Sequence, residues 1–384
     1  MRNLAFVLLA ACSGSDPAPL EFDVTGPPPA LFAYRDGSGA WQTATGDAAG
    51  HYMLKVTDDY QVVVACIEDG AIESSLVSAT VEDGPRQSAA CDAPVPESTT
   101  TYLVTGTMKQ PGTVFAGGID ESATPNWTIH LDVPPGTHDV VAIDDRHRML
   151  MRRRLAIAGA TTLDPIDLTG ALTMMPIRLQ IANAGSDSVD TSSGLSTANG
   201  AYTMSSSSAK VWMVPASLLE SGDVQHVAAF GDDGHQFRVV LSTFTGSETS
   251  FTLPDAVTGV TFGTATASWS AMPAAYDDAT LVLDQTREQT ETVQSVRATK
   301  RWLAATHATK LTFDAQPPGF QTAWNVDTTA TYSPAFHADY VSGNTQYEAV
   351  VFGDTERQRS NRPLLSMADR LRESMRSRHP MSRM

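Results

Sequence analysis

Along most of the chain, apolar and polar residues alternate singly in short runs broken by Gly, Pro, Asn and Asp. Trp127 to Val133 shows the pattern most cleanly: Ile129, Leu131 and Val133 fall on one face, His130 and Asp132 on the other. A repeat of two is that of an extended strand with one face buried. His51 to Val56, Gln236 to Leu241, Ser250 to Leu253, Val260 to Ala267 and Tyr347 to Phe352 read as further strands. Val62-Val63-Val64-Ala65-Cys66 is a continuous apolar run, as expected of a strand buried on both faces. Gly50 and Asp36-Gly37-Ser38-Gly39 supply turns between such runs. These signals predict an all-β fold class. Gly185 to Ser208, rich in Ser, Thr and Gly, reads as a long loop or hairpin tips. Arg287 to Thr299 lacks Gly and Pro and is either helix or long strand.

After Val133, Pro134-Pro135-Gly136 predicts a tight turn, and Thr137 to Ile143 a returning strand. A hairpin closed there sets Asp132 opposite His138 and His130 opposite Val140. The stretch Val133 to Ala142 resembles the "PPGxY" hairpin of carboxypeptidase-regulatory-like β-sandwiches, with His138 where a tyrosine is usual. The resemblance covers residues 100 to 168. It implies a sandwich that serves as a structural or binding accessory, and no activity. The whole chain is accordingly expected to hold several tandem Ig-like or carboxypeptidase-regulatory-like sandwiches. The expected units are a small β-sandwich at 30–96, the carboxypeptidase-regulatory-like unit at 97–170, and one large or two small β-domains at 171–353, with a candidate break near 272. A transmembrane barrel is disfavoured, because aromatic residues for its girdles make up only 7% of the chain.

Ahead of the first unit, Arg2 precedes an apolar stretch, Leu4 to Ala11, that ends in Leu9-Ala10-Ala11-Cys12. This run resembles a bacterial lipobox. It implies a signal peptide at 1–11 and a mature protein that starts at a diacylated (palmitate-bearing) Cys12. Ser13 resembles the outer-membrane sorting pattern. No later segment approaches the ~20 apolar residues of a spanning helix, so the lipid is the expected membrane anchor. Residues 12–29, with Pro17, Pro19 and Pro27-Pro28-Pro29, read as a Pro-rich tether.

Charge and cysteine usage narrow the function classes. The 384 residues carry a formal net charge of −17, although Arg357 to Met384 sets eight Arg against Asp369 and Glu373. The remaining body is therefore strongly acidic, and phosphates of nucleic acid would be repelled. Glycans, envelope proteins and small molecules remain as partners. With Cys12 lipidated, Cys66 and Cys91 form an even pair, expected as one disulfide in an oxidising compartment.

Candidate chemistry is sparse. His130, Asp132 and His138, with Asp144, Asp145 and His147 nearby, have the ligand types for zinc. A solvated strand face is preferred, because alternation alone puts polar residues there and no HExxH or paired CxxC accompanies them. Asp58-Asp59, Asp232-Asp233-Gly234 and Asp277-Asp278 suit turns, with structural calcium as the alternative. No G-x-S-x-G elbow marks a Ser nucleophile. Trp41, Trp127, Trp212, Trp269, Trp302 and Trp324 are expected mostly in the core, and any exposed one would suit a sugar face. Arg146, Arg148, Arg152, Arg153 and Arg154 form a basic island, paired with nearby Asp or lining an anion-binding edge. No catalytic residue and no cofactor is expected. The basic tail at 354–384 contains a helical pattern after Pro363: Leu364, Ala368, Leu371 and Met375 on one face, Arg370, Arg372 and Arg376 opposite. The reading is an outer-membrane-anchored, non-catalytic binding, display or structural envelope protein. The alternative is an extracytoplasmic hydrolase with its site in 172–353.

Overall fold

The computed structural model describes residues 19–353 apart from 69–70, 85, 92–100, 117–118, 124–126, 134, 207–209, 247–248, 288–289 and 315. The signal segment, Cys12 and the basic tail lie outside the described residues. With 59% of the described residues in strands against 5% in helix, the fold is all-β. No described helix is long and apolar enough to cross a membrane.

The first unit contains β1 (Leu20–Thr25), β2 (Leu31–Asp36), β3 (Gln42–Thr43), β4 (His51–Leu54), β5 (Asp59–Glu68), β6 (Ala71–Thr80) and β7 (Arg86–Ala90). One layer has the order β4-β1-β7, and β6-β5-β2-β3 forms the other. Residues 20–25, expected within the tether, instead form the central strand of the smaller layer. Their alternation sends Leu20, Phe22 and Val24 into the core with Phe32, Leu54, Val62 and Val64. Pro27-Pro28-Pro29 lie in the connection from β1 to β2, so this part of the segment expected as a tether belongs to the folded unit. Phe22 packs edge-on against Phe32 at 5.5 Å, and Phe32 stacks on Tyr52 at 3.7 Å. The expected disulfide is present: Cys66 in β5 bonds Cys91 just after β7, with Cα atoms 5.4 Å apart. It staples one layer to the other. Gly26 makes the close approach that this join needs, since a Cβ there would lie 1.9 Å from the Cys91 carbonyl oxygen.

The second unit contains β8 (Tyr102–Met108), β9 (Gly112–Ala116), β10 (Ile119–Ala123), β11 (Trp127–Val133), β12 (Gly136–Asp144), β13 (Arg148–Ile157), β14 (Thr161–Thr162) and β15 (Leu172–Thr173). Its sheets are ordered β10-β9-β12-β13-β15 and β11-β8-β14. The strands at 127–133 and 136–144 form where the alternation places them, but they do not pair as a hairpin. β11 pairs with β8, and β12 lies between β9 and β13. The chain crosses from one layer to the other between them. Val133 and Val140, both 0% exposed, meet in the core shared by the two sheets. Burying both apolar faces against each other favours that crossing over a flat two-stranded ribbon.

The rest contains β16 (Met175–Arg178), β17 (Gln180–Ala182), β18 (Ser188–Thr197), β19 (Gly200–Ser206), β20 (Lys210–Met213), β21 (Val224–Asp232), β22 (Gln236–Thr243), β23 (Ser250–Thr252), β24 (Thr261–Gly263), β25 (Thr266–Ser268), β26 (Asp278–Arg287), β27 (Thr290–Thr299), α1 (Lys300–Thr306), β28 (Lys310–Thr312), β29 (Ser333–Ser342) and β30 (Thr345–Phe352). Within the stretch expected as a long loop or hairpin tips at 185–208, Ser188–Thr197 and Gly200–Ser206 form the regular hairpin β18-β19. Its Thr191, Ser193 and Leu195 are buried, and the Ser193 hydroxyl donates to the Trp212 carbonyl at 2.8 Å. Small polar residues can sit in a sheet core when their hydroxyls are satisfied. The stretch expected as helix or long strand at 287–299 holds the end of β26 at Arg287 and, antiparallel to it, β27 from Thr290 to Thr299; α1 follows, capped where the Thr299 hydroxyl accepts from the Trp302 N–H.

These strands join the first unit in one sheet of twelve: β19-β18-β21-β22-β30-β29-β26-β27-β6-β5-β2-β3. The seam is the parallel pair β27/β6, from Glu291↔Ala71 to Ala298↔Ser78, with the Ser75 and Ser295 hydroxyls 2.8 Å apart. Strands β2, β3, β5 and β6, within the unit expected at 30–96, therefore share a sheet with β26, β27, β29 and β30 instead of standing as a serial bead. Nor does the chain break near 272. Val257, Ala267 and Trp269 before that point pack in one cluster with Tyr276, Leu281, Val296 and Phe336 after it, and Met272 lies against them.

Candidate binding site

Among the described residues, one group of His and carboxylate side chains whose ligand atoms lie close enough to share a metal ion sits on the outer face of the first unit. The alternation that buries Phe22 and Val24 turns Glu21 and Asp23 outward, and β4 does likewise with His51 and Met53. The antiparallel register sets Asp23 opposite His51 and Glu21 opposite Met53. His51 Nδ1 lies 2.6 Å from Asp23 Oδ1 and 3.5 Å from Glu21 Oε1. The hydrogen bond to Asp23 raises the His51 pKa above its ordinary value, against a smaller opposing effect of burial. Asp47 Oδ1 accepts the N–H groups of His51 at 3.0 Å and Ala49 at 2.8 Å, which fixes the loop leading into β4. Those two bonds, His51 first, hold the Asp47 carboxyl below its ordinary pKa.

Glu21, Asp47 and His51 border an open groove of about 580 Å³, walled also by Tyr34, Thr43, Thr45 and the exposed Met53. The Tyr34 hydroxyl donates to Gln42 Oε1 at 3.1 Å, which orients the ring at the wall. One imidazole and two carboxylates, with ligand atoms within 4.8 Å of one another, form a donor set that a divalent cation accepts. The same atoms are already satisfied as an ion-paired cluster. Apolar and polar walls with a few charged groups at one end also suit a hydroxyl-rich small molecule.

The zinc candidates of the second unit fare differently. His130 and Asp132 lie on β11, whose backbone pairs with Thr105 and Leu103 of β8. Their side chains lie outside the described residues. His138 lies on β12 opposite Leu155, in the other sheet, so the expected cross-strand juxtaposition with Asp132 is not formed. Asp144 is committed elsewhere: it accepts the N–H groups of Arg146 and Arg148 and pairs with the Arg148 guanidinium at 2.6 Å. His147 stacks on Trp212 at 3.6 Å, and burial, followed by the charge of Lys210, lowers its pKa.

The basic island resolves into pairs. Arg152 donates to the carbonyls of Asp164 and Pro165, Arg153 bridges Asp139 and Asp223, and Arg154 pairs with Glu220. The Asp232-Asp233-Gly234 turn is capped internally, with Asp232 Oδ1 accepting from Gly234 and Asp233 Oδ1 from His235 and Gln236, and Asp278 pairs with Arg297 at 2.6 Å. Trp269 and Trp324 are buried, and Trp41, Trp212 and Trp302 half-buried. In the region assigned to a hydrolase site, Ser196 Oγ lies 3.1 Å from His226 Nε2 across the β18/β21 ladder, and His337 Nδ1 lies 2.6 Å from Glu348.

Sequence reasoning missed the Glu21–Asp23–His51 set because β1 was read as tether. The signal was there: Leu-Glu-Phe-Asp-Val alternates as clearly as any later strand. In comparisons with known proteins, the chain matches no family model and no curated protein.

Proposed function

We propose that this is a lipid-anchored, extracytoplasmic binding protein of the outer membrane. Cys12 holds it to the bilayer, and the groove at Glu21, Asp47 and His51 receives a glycan or a segment of an envelope protein. The observation that carries this reading is the Cys66–Cys91 bond within the sandwich nearest the anchor. Such a bond persists in an oxidising compartment, the one that a lipobox serves. β1 starts eight residues after Cys12. At ~3.5 Å per residue the sandwich then sits within about 30 Å of the membrane. Short tethering favours ligands of the envelope itself over distant ones.

Two measurements test the reading. Cys12→Ala should move the protein from the membrane to the soluble fraction, and continued membrane retention refutes the anchor. Protease accessibility on intact cells then separates surface display from a periplasmic orientation. Binding to a panel of envelope glycans should weaken on His51→Ala, and full retention of binding there places the ligand elsewhere. A hydrolase is the second reading, favoured by the Ser196–His226 contact. Turnover of chromogenic esters that is abolished by Ser196→Ala would establish it, and no turnover would remove it.

A further inference from the structure

Glu21, Asp23 and His51 are brought together by strand register and held from behind by the backbone. The Val24 N–H donates to the Gly50 carbonyl at 2.8 Å, so these two residues form a hydrogen-bonded pair of the β1/β4 ladder. The next pair along, Asp23 with His51, is then a non-hydrogen-bonded one, where opposed side chains approach most closely. Glu21 lies two residues from Asp23 on the same strand and therefore on the same face. The backbone of His51 is pinned on both sides. Its N–H donates to Asp47 Oδ1 at 3.0 Å, and its carbonyl accepts the Asp47 N–H at 3.0 Å. A fixed backbone of this kind is what a metal ligand needs for its geometry to be set in advance.

The separations suit a small ion. Tetrahedral zinc, with bonds of about 2.0–2.1 Å, sets its ligand atoms ~3.3 Å apart. His51 Nδ1 lies 2.6 Å from Asp23 Oδ1 and 3.5 Å from Glu21 Oε1, on either side of that value. All three ligand atoms lie within 4.8 Å of one another, so side-chain adjustments of about 1 Å seat the ion. Glu21 and Asp23 make further interactions, but a carboxylate has about four acceptor positions, which leaves each a lone pair for a metal. Two carboxylates and a neutral imidazole balance a divalent charge, and the ion takes the place of the proton between His51 Nδ1 and Asp23. One nitrogen among three donors favours zinc over calcium, which takes about six to eight oxygens. Asp47 adds no fourth ligand through Oδ1, which accepts two backbone N–H groups. We propose that Glu21, Asp23 and His51 bind a zinc ion whose remaining position opens into the groove that Glu21 and His51 line. Its consequence for the ligand rests on the reading of that groove as a receptor for a glycan. The glycan is then one with a sugar acid, whose carboxylate the acidic rim repels until the ion is in place.

Titration of the full-length protein with cobalt(II), in detergent and after treatment with a chelator, tests the site. One equivalent should develop the strong visible bands of a four- or five-coordinate ion, and one equivalent of zinc should bleach them. His51→Ala and Asp23→Asn should each weaken cobalt binding at least about tenfold, since even loss of an outer partner of a metal ligand costs that much. His138→Ala, in the second unit, should leave it unchanged. Cooperative urea unfolding of each variant confirms that it is folded. Absence of the bands, uptake only beyond one equivalent, or full binding by His51→Ala overturns the site. Binding of uronic-acid oligosaccharides, with zinc and with chelator, tests the groove separately, and binding that needs zinc supports the ligand class. Normal zinc uptake, with oligosaccharide binding absent or indifferent to zinc, leaves the ion site standing and overturns its part in recognition.

Discussion

Asp139 joins the second unit to the β18-β19 hairpin, and replacing it by Asn tests how that joint is held. The carboxylate is 0% exposed. Oδ1 accepts the Arg154 N–H at 2.8 Å and Asn199 Nδ2 at 3.1 Å, while Oδ2 accepts Arg153 at 2.9 Å and the Thr197 hydroxyl at 2.8 Å. Arg153, itself mostly buried, continues to Asp223 at 2.5 Å. Asn has only one acceptor oxygen, so whichever way the amide turns, two donors face an NH2 group. Each buried donor left without a partner costs about 1–3 kcal/mol, and the anion that balances Arg153 is also lost. Asp139→Asn should therefore destabilise by about 3 kcal/mol at pH 7, read as a lower urea midpoint at unchanged slope. The pH dependence gives a second readout. Burial by itself would raise the Asp139 pKa, but the hydrogen bonds from Arg154, Thr197, Arg153 and Asn199 together hold it below the ordinary 3.8. A depressed carboxyl pKa contributes stability above its unfolded value and loses it as pH falls through the folded one. The gap between wild type and Asp139→Asn should hold from pH 7 down to about 4.5 and close below the ordinary carboxyl pKa. A gap under about 1 kcal/mol at pH 7, or one still full at pH 2.5, would refute this account of the joint.

Three further outcomes are expected. Paired Cys66→Ser and Cys91→Ser substitutions open a loop with a sequence separation of 25. They should cost about 3 kcal/mol in the chain-entropy picture, and denatured wild-type protein under non-reducing conditions should take up no thiol label at these positions. His51, its pKa raised by the hydrogen bond to Asp23, should titrate above its ordinary value by NMR and return toward it in Asp23→Asn. Its stabilising contribution is complete below the unfolded pKa and is lost as pH rises through the folded one, so wild type but not Asp23→Asn should weaken across that rise. Leu281→Ala empties a fully buried position in the largest cluster and should cost about 2–5 kcal/mol in chemical denaturation, whereas the same change at the exposed Leu103 should cost little.

What the sequence determined by itself was local. The period of two set which side of a strand is apolar, as at 51–54, where Tyr52 and Leu54 are buried and His51 and Met53 face outward, and with it the all-β class. The even cysteine pair pointed to the bond that is present. Turn residues marked where strands stop. Even locally, composition misled where two signals overlapped. The prolines around Leu20 to Thr25 hid a clean alternation, and the Ser and Thr of 185–208 left open a long loop or hairpin tips where strands β18 and β19 pair, with the Ser193 hydroxyl satisfied by the Trp212 carbonyl. The tertiary structure decided which strands are partners. An alternating strand offers the same row of N–H and C=O groups to any neighbour, so nothing within Trp127 to Val133 says that it pairs with β8 and not β12. That choice is made by burying Val133 against Val140. The β27/β6 seam joins residues about 220 apart, and no local pattern records it. Likewise Glu21 and Asp23 reach His51 only through the register of β1 on β4, so the candidate site exists in the pairing of strands and in neither strand alone.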